Sequence, residues 1–466
     1  MKGKIIKIVA VIGGLASIWI SMFFIDKARN PQSITQLEFW NVFDTTETME
    51  PLLSEFTAET GIRVNYRSFT DLAEYRETLL FELAAGEGPD VLAVRGSWIP
   101  KYKSLLLPMP SGLGYLTENI SNDFVDAVAS AVIFEKENES DLGKGGISKN
   151  QIFGLPMYLD TLAIYFNKTL FRNVLSKPYP APELTWAGVR EDVIALVSKD
   201  SEDPEGFRLA GIALGRADNI TRGVELFYTL YQQLGGQNLT EAVKERARDD
   251  SGKAYQPLTA ALDFLTSFSR NNRNQEYSWN SKIATFAPEK ELDAFARGKV
   301  AMIAGYSYYY EEIKSLIQQQ KKLGKDTIEI SEVGIAPFPQ IHDPQAGNPK
   351  VVLADFFALS VAKSSEHPLQ SWMLILKLTG NSAQQKYFKA TKKPTSRRDL
   401  IEEQKTDPLF GIFAEQAVYA DTLTIANDEL FAKAVANVLN RISDGEITPS
   451  DGSAELEKVF ASAAES

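Results

Sequence analysis

The sequence predicts an α/β protein in two lobes, the first opening with a parallel sheet. Three observations carry this. From Ile34 to Val94, strand-like and helix-like segments alternate as β-α-β-α-β, the order of parallel strands joined by crossover helices. A chain of 466 residues exceeds what one hydrophobic core holds. No internal repeat or low-complexity linker divides it, so two lobes crossed several times by the chain fit better than independent domains.

Ile34–Trp40 (ITQLEFW) alternates apolar and polar residues and reads as the first strand. NVFDTT is a turn, and Asp44 with Glu47 has the spacing of a capping pair. Met49, Leu52, Leu53 and Phe56 then form one helical stripe that ends before Gly61. RVNYRSF is the second strand. Asp71 opens a helix with Leu72, Tyr75, Leu79 and Leu83 on one side, closed by Gly86. Val91–Val94 is a short apolar run suited to a strand buried on both faces. Ligands of such sheets bind at the carboxyl ends of strands. Those ends carry Trp40 to Asp44, and Arg95, Ser97 and Trp98. Glu135–Lys149 reads as an exposed loop, and helices are expected over Thr185–Ser198, Arg222–Leu234, Tyr255–Phe268, Lys290–Arg297, Gln370–Thr379 and Ala383–Ala390.

Composition narrows the function. A net charge of −12 disfavours nucleic-acid binding. The chain has no cysteine and only two histidines, His342 and His367. Disulfides, thiolate metal sites and cysteine nucleophiles are excluded, and His-based triads or multi-His metal sites are not expected. No nucleotide, metal-loop or serine-hydrolase motif occurs, so no catalytic residue, metal or cofactor is expected.

The N-terminus reads as an address. Lys2, Lys4 and Lys7 precede an uncharged run from Ile8 to Ile25. As a helix, the run is about 27 Å long, barely enough to span a bilayer. Residues 1–33 are expected to be a signal-anchor and short linker, with everything beyond them outside the cytoplasm. A cleaved secretory signal is the second reading.

Six segments, taken in order, resemble the extracellular solute-binding proteins of ABC importers, the group that includes maltose-binding proteins. They are LEFWNVFD, AAGEGPDVLAV, IFGLPMYLDTLAIYFNKTLF, AFARGKVAMIAGYSYYYEEIK, VGIAPFPQ and KATKKPTSRRDL. The resemblance runs roughly from Ile34 to Leu439. It implies a two-lobe Venus-flytrap with about three interlobe crossings, closing on a small-molecule solute, a sugar or oligosaccharide. The first lobe would hold 34–157 plus 355–398, and the second 158–354 plus 399–466. The partners implied are ABC importer permease subunits, with the chain itself a monomer. A tethered binding or scaffolding protein without transport, or a carbohydrate-active enzyme, are the other readings.

Candidate ligand-binding residues follow from the strand ends and the resemblance together. They are Trp40, Asp44, Arg95, Ser97, Trp98, Tyr158, Asp160, Trp279, Tyr306, Ser307, Tyr308, Asp355, Phe356 and Arg397. Several carry a second reading. Asp44 is a ligand acid or a helix cap, and Asp160 a ligand contact or a hinge hydrogen bond. Tyr158, Trp98 and Trp279 are cleft walls or packing. Asp355 and Arg397 are hinge ion-pair members as readily as ligand contacts. In GYSYYYEEI, a helix is expected from near Ser307, with Tyr309 and Tyr310 flanking its buried stripe. Tyr306 and Tyr308 are then left for the cleft.

Overall fold

The structure is a computed structural model. It describes residues 35–135, 150–176, 181–201, 206–237, 247–248, 254–271, 275–283, 290–422 and 428–465. The expected anchor over residues 8–25 and nearly all of the loop over Glu135–Lys149 lie outside the described residues. Among the described residues, no helix is long and apolar enough to cross a membrane.

The chain begins with β1 (Gln36–Val42), β2 (Arg63–Phe69), β3 (Val91–Arg95) and the short β4 (Leu106–Leu107) and β5 (Leu155–Pro156). β1 runs parallel to both β2 and β3. The helix Thr46–Thr60 buries Met49, Leu52, Leu53 and Phe56, the expected stripe, and ends on Gly61 at φ 75. Thr45, not Asp44, is its N-cap, because the Thr45 side chain accepts from the Thr48 amide. Asp71 and Gly86 cap the next helix, Leu72–Ala85, at its two ends.

A short strand β6 (Asp160–Thr161) leads to β7 (Ala163–Asn167), β8 (Ser198–Lys199), β9 (Phe207–Ile212), β10 (Val300–Gly305) and β11 (Val333–Pro337). These last five form a second sheet in the order β8-β9-β10-β7-β11. The chain returns through β12 (Val352–Asp355) and β13 (Phe357–Ala362), which inserts antiparallel to β3 in the first sheet. β14 (Ala420–Asp421) joins β12 and β6 in a three-stranded ribbon between the two sheets. The first sheet is therefore mixed, its parallel opening closed by an antiparallel returning strand.

Crossings between the sheets are held by buried amides. Gln416 Nε2 donates to Thr161 Oγ1 and the Leu162 carbonyl, both at 2.9 Å, while its Oε1 accepts from the Phe338 amide at 2.8 Å. Gln384 Nε2 donates to the Pro156 carbonyl at 3.1 Å, and its Oε1 accepts from Thr395 Oγ1 at 2.7 Å. Each side chain satisfies backbone groups that a crossing segment would otherwise bury unpaired.

The tyrosine corner follows β10, all of whose residues are buried. Its helix spans Tyr309–Lys322, two residues later than the sequence suggests. Ser307 precedes it, its amide and hydroxyl both donating to Asp160. Gly305 is needed here for space: a Cβ would lie 2.0 Å from the Tyr309 ring, which folds back onto the strand end.

Candidate functional site

Two cavities lie between the sheets, sharing Arg95 and Asp355 as a common wall. The first, of about 400 Å³, is lined by residues from both sheets and the crossing ribbon. Its rings are Phe43, Tyr158, Tyr306, Tyr308 and Phe357, and its charged groups Arg95, Asp160, Arg222, Glu312, Asp355 and Lys393. The second, of about 360 Å³, lies beyond the shared wall and is lined by Arg76, Ser97, Glu225, Tyr228, Phe356 and Glu429 among others.

The shared wall is an ion-pair chain. Arg95 Nε donates to Asp355 Oδ1 at 2.7 Å, and Arg95 Nη2 lies 3.9 Å from Glu225. Arg222 Nη1 donates to Glu225 at 2.9 Å, and its Nη2 to the Tyr308 hydroxyl at 2.5 Å. Burial alone would depress the Arg95 and Arg222 guanidinium groups. The carboxylates beside them overcome it and hold both above the ordinary arginine range. Tyr306 stacks on Tyr308, with ring centroids 6.0 Å apart and planes at 25°. Arg222 lies 5.5 Å from the first centroid and 5.8 Å from the second.

Asp160 sits at the hinge and the cavity together. Its carboxylate accepts from the Ser307 amide, from Ser307 Oγ at 2.6 Å and from the Thr161 amide at 2.9 Å. Burial pushes it up to about 7, against the lowering effect of those bonds. Asp160 thus ties β6 to the corner after β10 through these bonds, and it also lines the cavity.

Lys393 closes the first-sheet side. Its Nζ pairs with Asp44 at 2.7 Å and lies 4.6 Å from the Tyr158 ring centroid. Tyr158 stacks on Tyr387, whose hydroxyl donates to both Asp44 oxygens at 2.8 Å.

Of the residues singled out in the sequence, Arg95, Tyr158, Asp160, Tyr306, Tyr308 and Asp355 line the first cavity. Ser97 and Phe356 line the second, and Ser307 holds Asp160 in place. Five stand elsewhere. Asp44 lies behind Lys393, 5% exposed, its oxygens taken by Asn41, Tyr387 and Lys393. Trp40 is buried against Phe69 and Arg67. Trp98 is buried behind Phe357, beside Tyr102. Trp279 is fully buried, its indole N–H donating to Asn219 Oδ1 at 2.9 Å. The expected cleft-wall indole is thus core of the second sheet's side. Arg397 pairs with Asp399 and lies over the Phe124 ring, away from both cavities.

Phe43, Arg222 and Lys393 are lining residues that sequence reasoning missed. Phe43 had a signal, being a large apolar residue inside a strand-to-helix turn. It adopts φ 69, costly for a non-glycine residue, while 48% exposed at the cavity. Lys393 lies within KATKKPTSRRDL and Arg222 at the start of the helix expected over Arg222–Leu234, segments whose local pattern points to the resemblance and to a helix but not to the cavity.

Two α/β sheets crossed by a hinge ribbon, with ring- and charge-lined cavities between them, define a two-lobe solute-binding protein. The chain belongs to the bacterial extracellular solute-binding protein family, which matches residues 43–385. No curated protein matches it. Among solved structures, the sugar-binding protein MalE from Xanthomonas citri is similar at TM-score 0.68 and 20% identity, over 92% of this chain and 98% of that one. MalE from Listeria monocytogenes in complex with maltose gives 0.65 and 17%, over 92% and 98%. A Thermotoga lettingae solute-binding protein bound with α-D-tagatose gives 0.61 and 20%, over 91% and 100%. At such identities the likeness establishes the fold.

Proposed function

We propose that the protein binds a carbohydrate in the first cavity and delivers it to ABC importer permease subunits by lobe closure. The observation that carries this is the cavity's lining. Five aromatic residues line it, supplying apolar surface for the C–H side of a sugar, and guanidinium, ammonium and carboxylate groups line it with them to meet hydroxyls. The balance of cations and carboxylates suits a neutral polyhydroxylated ligand, whose every hydroxyl both donates and accepts. The solved relatives with maltose and tagatose agree in ligand class.

The lobes are 34–157 plus 355–398 and 158–354 plus 399–466, with β6, β12 and β14 as the hinge. Residues 8–25 anchor the chain in the membrane with the body outside, or are cleaved to release it. The anchor would raise the binder's concentration at its permease. The protein acts as a monomer and turns nothing over.

Calorimetric titration of the protein with maltose, maltotetraose and D-tagatose tests this, with chromatography of each sugar afterwards. Saturable binding with the sugar recovered unchanged is expected. Binding of none of them overturns the carbohydrate reading, and a cleaved product overturns the non-enzymatic one.

A further inference from the structure

Arg95 and Asp355 line both cavities, so the ion-pair chain they belong to is a common boundary. In order, the chain runs through Asp355, Arg95, Glu225, Arg222 and Tyr308. The backbone fixes its ends. Arg95 closes β3, opposite Phe357 of β13, and the next amide, Gly96, donates to the Phe356 carbonyl at 3.0 Å. Asp355 closes β12, opposite Asp160 of β6. Arg222 and Glu225 stand at the start of the helix Gly223–Gln233, and Tyr308 follows β10. The loosest joint is the 3.9 Å between Arg95 Nη2 and Glu225. Atoms that close are in contact, so no sugar ring passes between them. A ligand that crossed would have to part charged side chains that are only 14–25% exposed, leaving them partly buried without partners.

The space on the two sides differs in use. The first cavity, of about 400 Å³, is at the small end of the roughly 300–1,000 Å³ of ligand pockets. The second, of about 360 Å³, would nearly double it. Its lining mixes apolar residues, Val224 and Ala432 among them, with polar ones such as Ser97, Thr422 and Glu429. That mixture suits further sugar units, but the chain stands in their way.

We propose that the Arg95 ion-pair chain sets the length of the ligand, confining a saccharide to the first cavity and withholding the second from it. This rests on the carbohydrate reading above. A longer saccharide then binds through the units that the first cavity holds, and its further units gain no contacts. Arg95 determines specificity by the space it closes, so taking its side chain away joins the two cavities and favours longer ligands.

Calorimetric titration of the full chain with maltose and with maltotetraose, on wild type and Arg95→Ala, tests this. Wild type is expected to bind the two sugars within about threefold of each other, or maltotetraose more weakly. Arg95→Ala is expected to bind maltotetraose about tenfold more tightly than maltose, whatever its affinity for maltose itself. A wild type that binds maltotetraose tenfold more tightly than maltose would overturn the proposal, because the further units would have found contacts past the chain. That comparison needs no variant, so it decides the matter even if Arg95→Ala does not fold. The same ratio of affinities in Arg95→Ala as in wild type would also overturn the proposal, leaving the carbohydrate reading intact. A wild type that binds neither of these sugars nor D-tagatose would overturn the carbohydrate reading, and the length limit would fall with it.

Discussion

At the end of β1 the chain runs Asn41-Val42-Phe43-Asp44 into a helix, and at the end of β10 it runs Gly305-Tyr306-Ser307-Tyr308 into another. Both are strand-to-helix corners facing the cleft. In the first, the polar residue is internally satisfied, since Asp44 accepts from Asn41, Tyr387 and Lys393. The apolar residue, Phe43, is the one left exposed in a left-handed conformation. In the second, the serine is satisfied by Asp160, while the hydroxyl of a buried tyrosine has no partner among the described residues. The contrast teaches that residue type alone does not mark a binding group. What marks it is a group the fold leaves open to the cavity, as it does the ring of Phe43.

Substitutions at four positions can break or sharpen that contrast. The largest effect is expected from Asp44→Ala. Lys393 is 13% exposed on its side chain and would be left charged without its partner. Breaking a buried pair in this way costs about 3–5 kcal/mol, read as a fall in the urea midpoint. Asp44→Asn, which keeps an acceptor for Tyr387, should lose less.

Asp160→Asn is expected to change the pH dependence of stability. Burial raises this carboxyl from 3.8 to about 7 in the folded protein. Between those values the native state keeps the proton and the unfolded chain releases it. The native state then binds more protons, so this group's contribution falls as pH rises through the window and stays level above it. At about 1.36 kcal/mol per unit the swing is on the order of a few kcal/mol. Unfolding of wild type against variant from pH 4 to pH 8 should show wild type losing ground steadily up to about pH 7.

Phe43→Ala should leave stability within about 1 kcal/mol of wild type, since the ring is half out of the core and its backbone is strained. Sugar affinity should fall about tenfold through the lost ring face. A large stability loss with unchanged affinity would make Phe43 a packing residue.

The smallest effect is expected from Arg76→Ala. The Arg76–Glu429 pair is 23% and 48% exposed, and Arg76 also donates to the Tyr102 hydroxyl at 3.2 Å, so its removal should lower the urea midpoint only slightly, the pair's share shrinking at high salt. Unfolding at two salt concentrations checks this.

Much of the fold was legible because local signals and tertiary outcome agree. The stripe of Met49, Leu52, Leu53 and Phe56, the Asp71 and Gly86 caps and the apolar run at Val91 each appear as read. The antiparallel insertion of β13 was not, because pairing direction depends on a strand some 260 residues from β3. The cavity was half legible. Strand ends and crossings gave Arg95, Tyr158, Asp160, Tyr306 and Asp355 their places. Trp279 misled because its polar neighbours suggested exposure, while Asn219 supplies the one hydrogen bond that lets the indole be buried. Arg222 and Lys393 stand in segments whose local pattern shows a helix start and a family resemblance, not a cavity. Their placement depends on Glu225, Tyr308 and Asp44, partners that only the folded chain supplies.

The central claim is that a carbohydrate closes the two lobes on the cavity between them. Small-angle scattering of the protein, alone and then saturated with maltotetraose, tests it most directly. A smaller radius of gyration on saturation, requiring more sugar in Phe43→Ala, is the predicted result. Saturation with no compaction would contradict it.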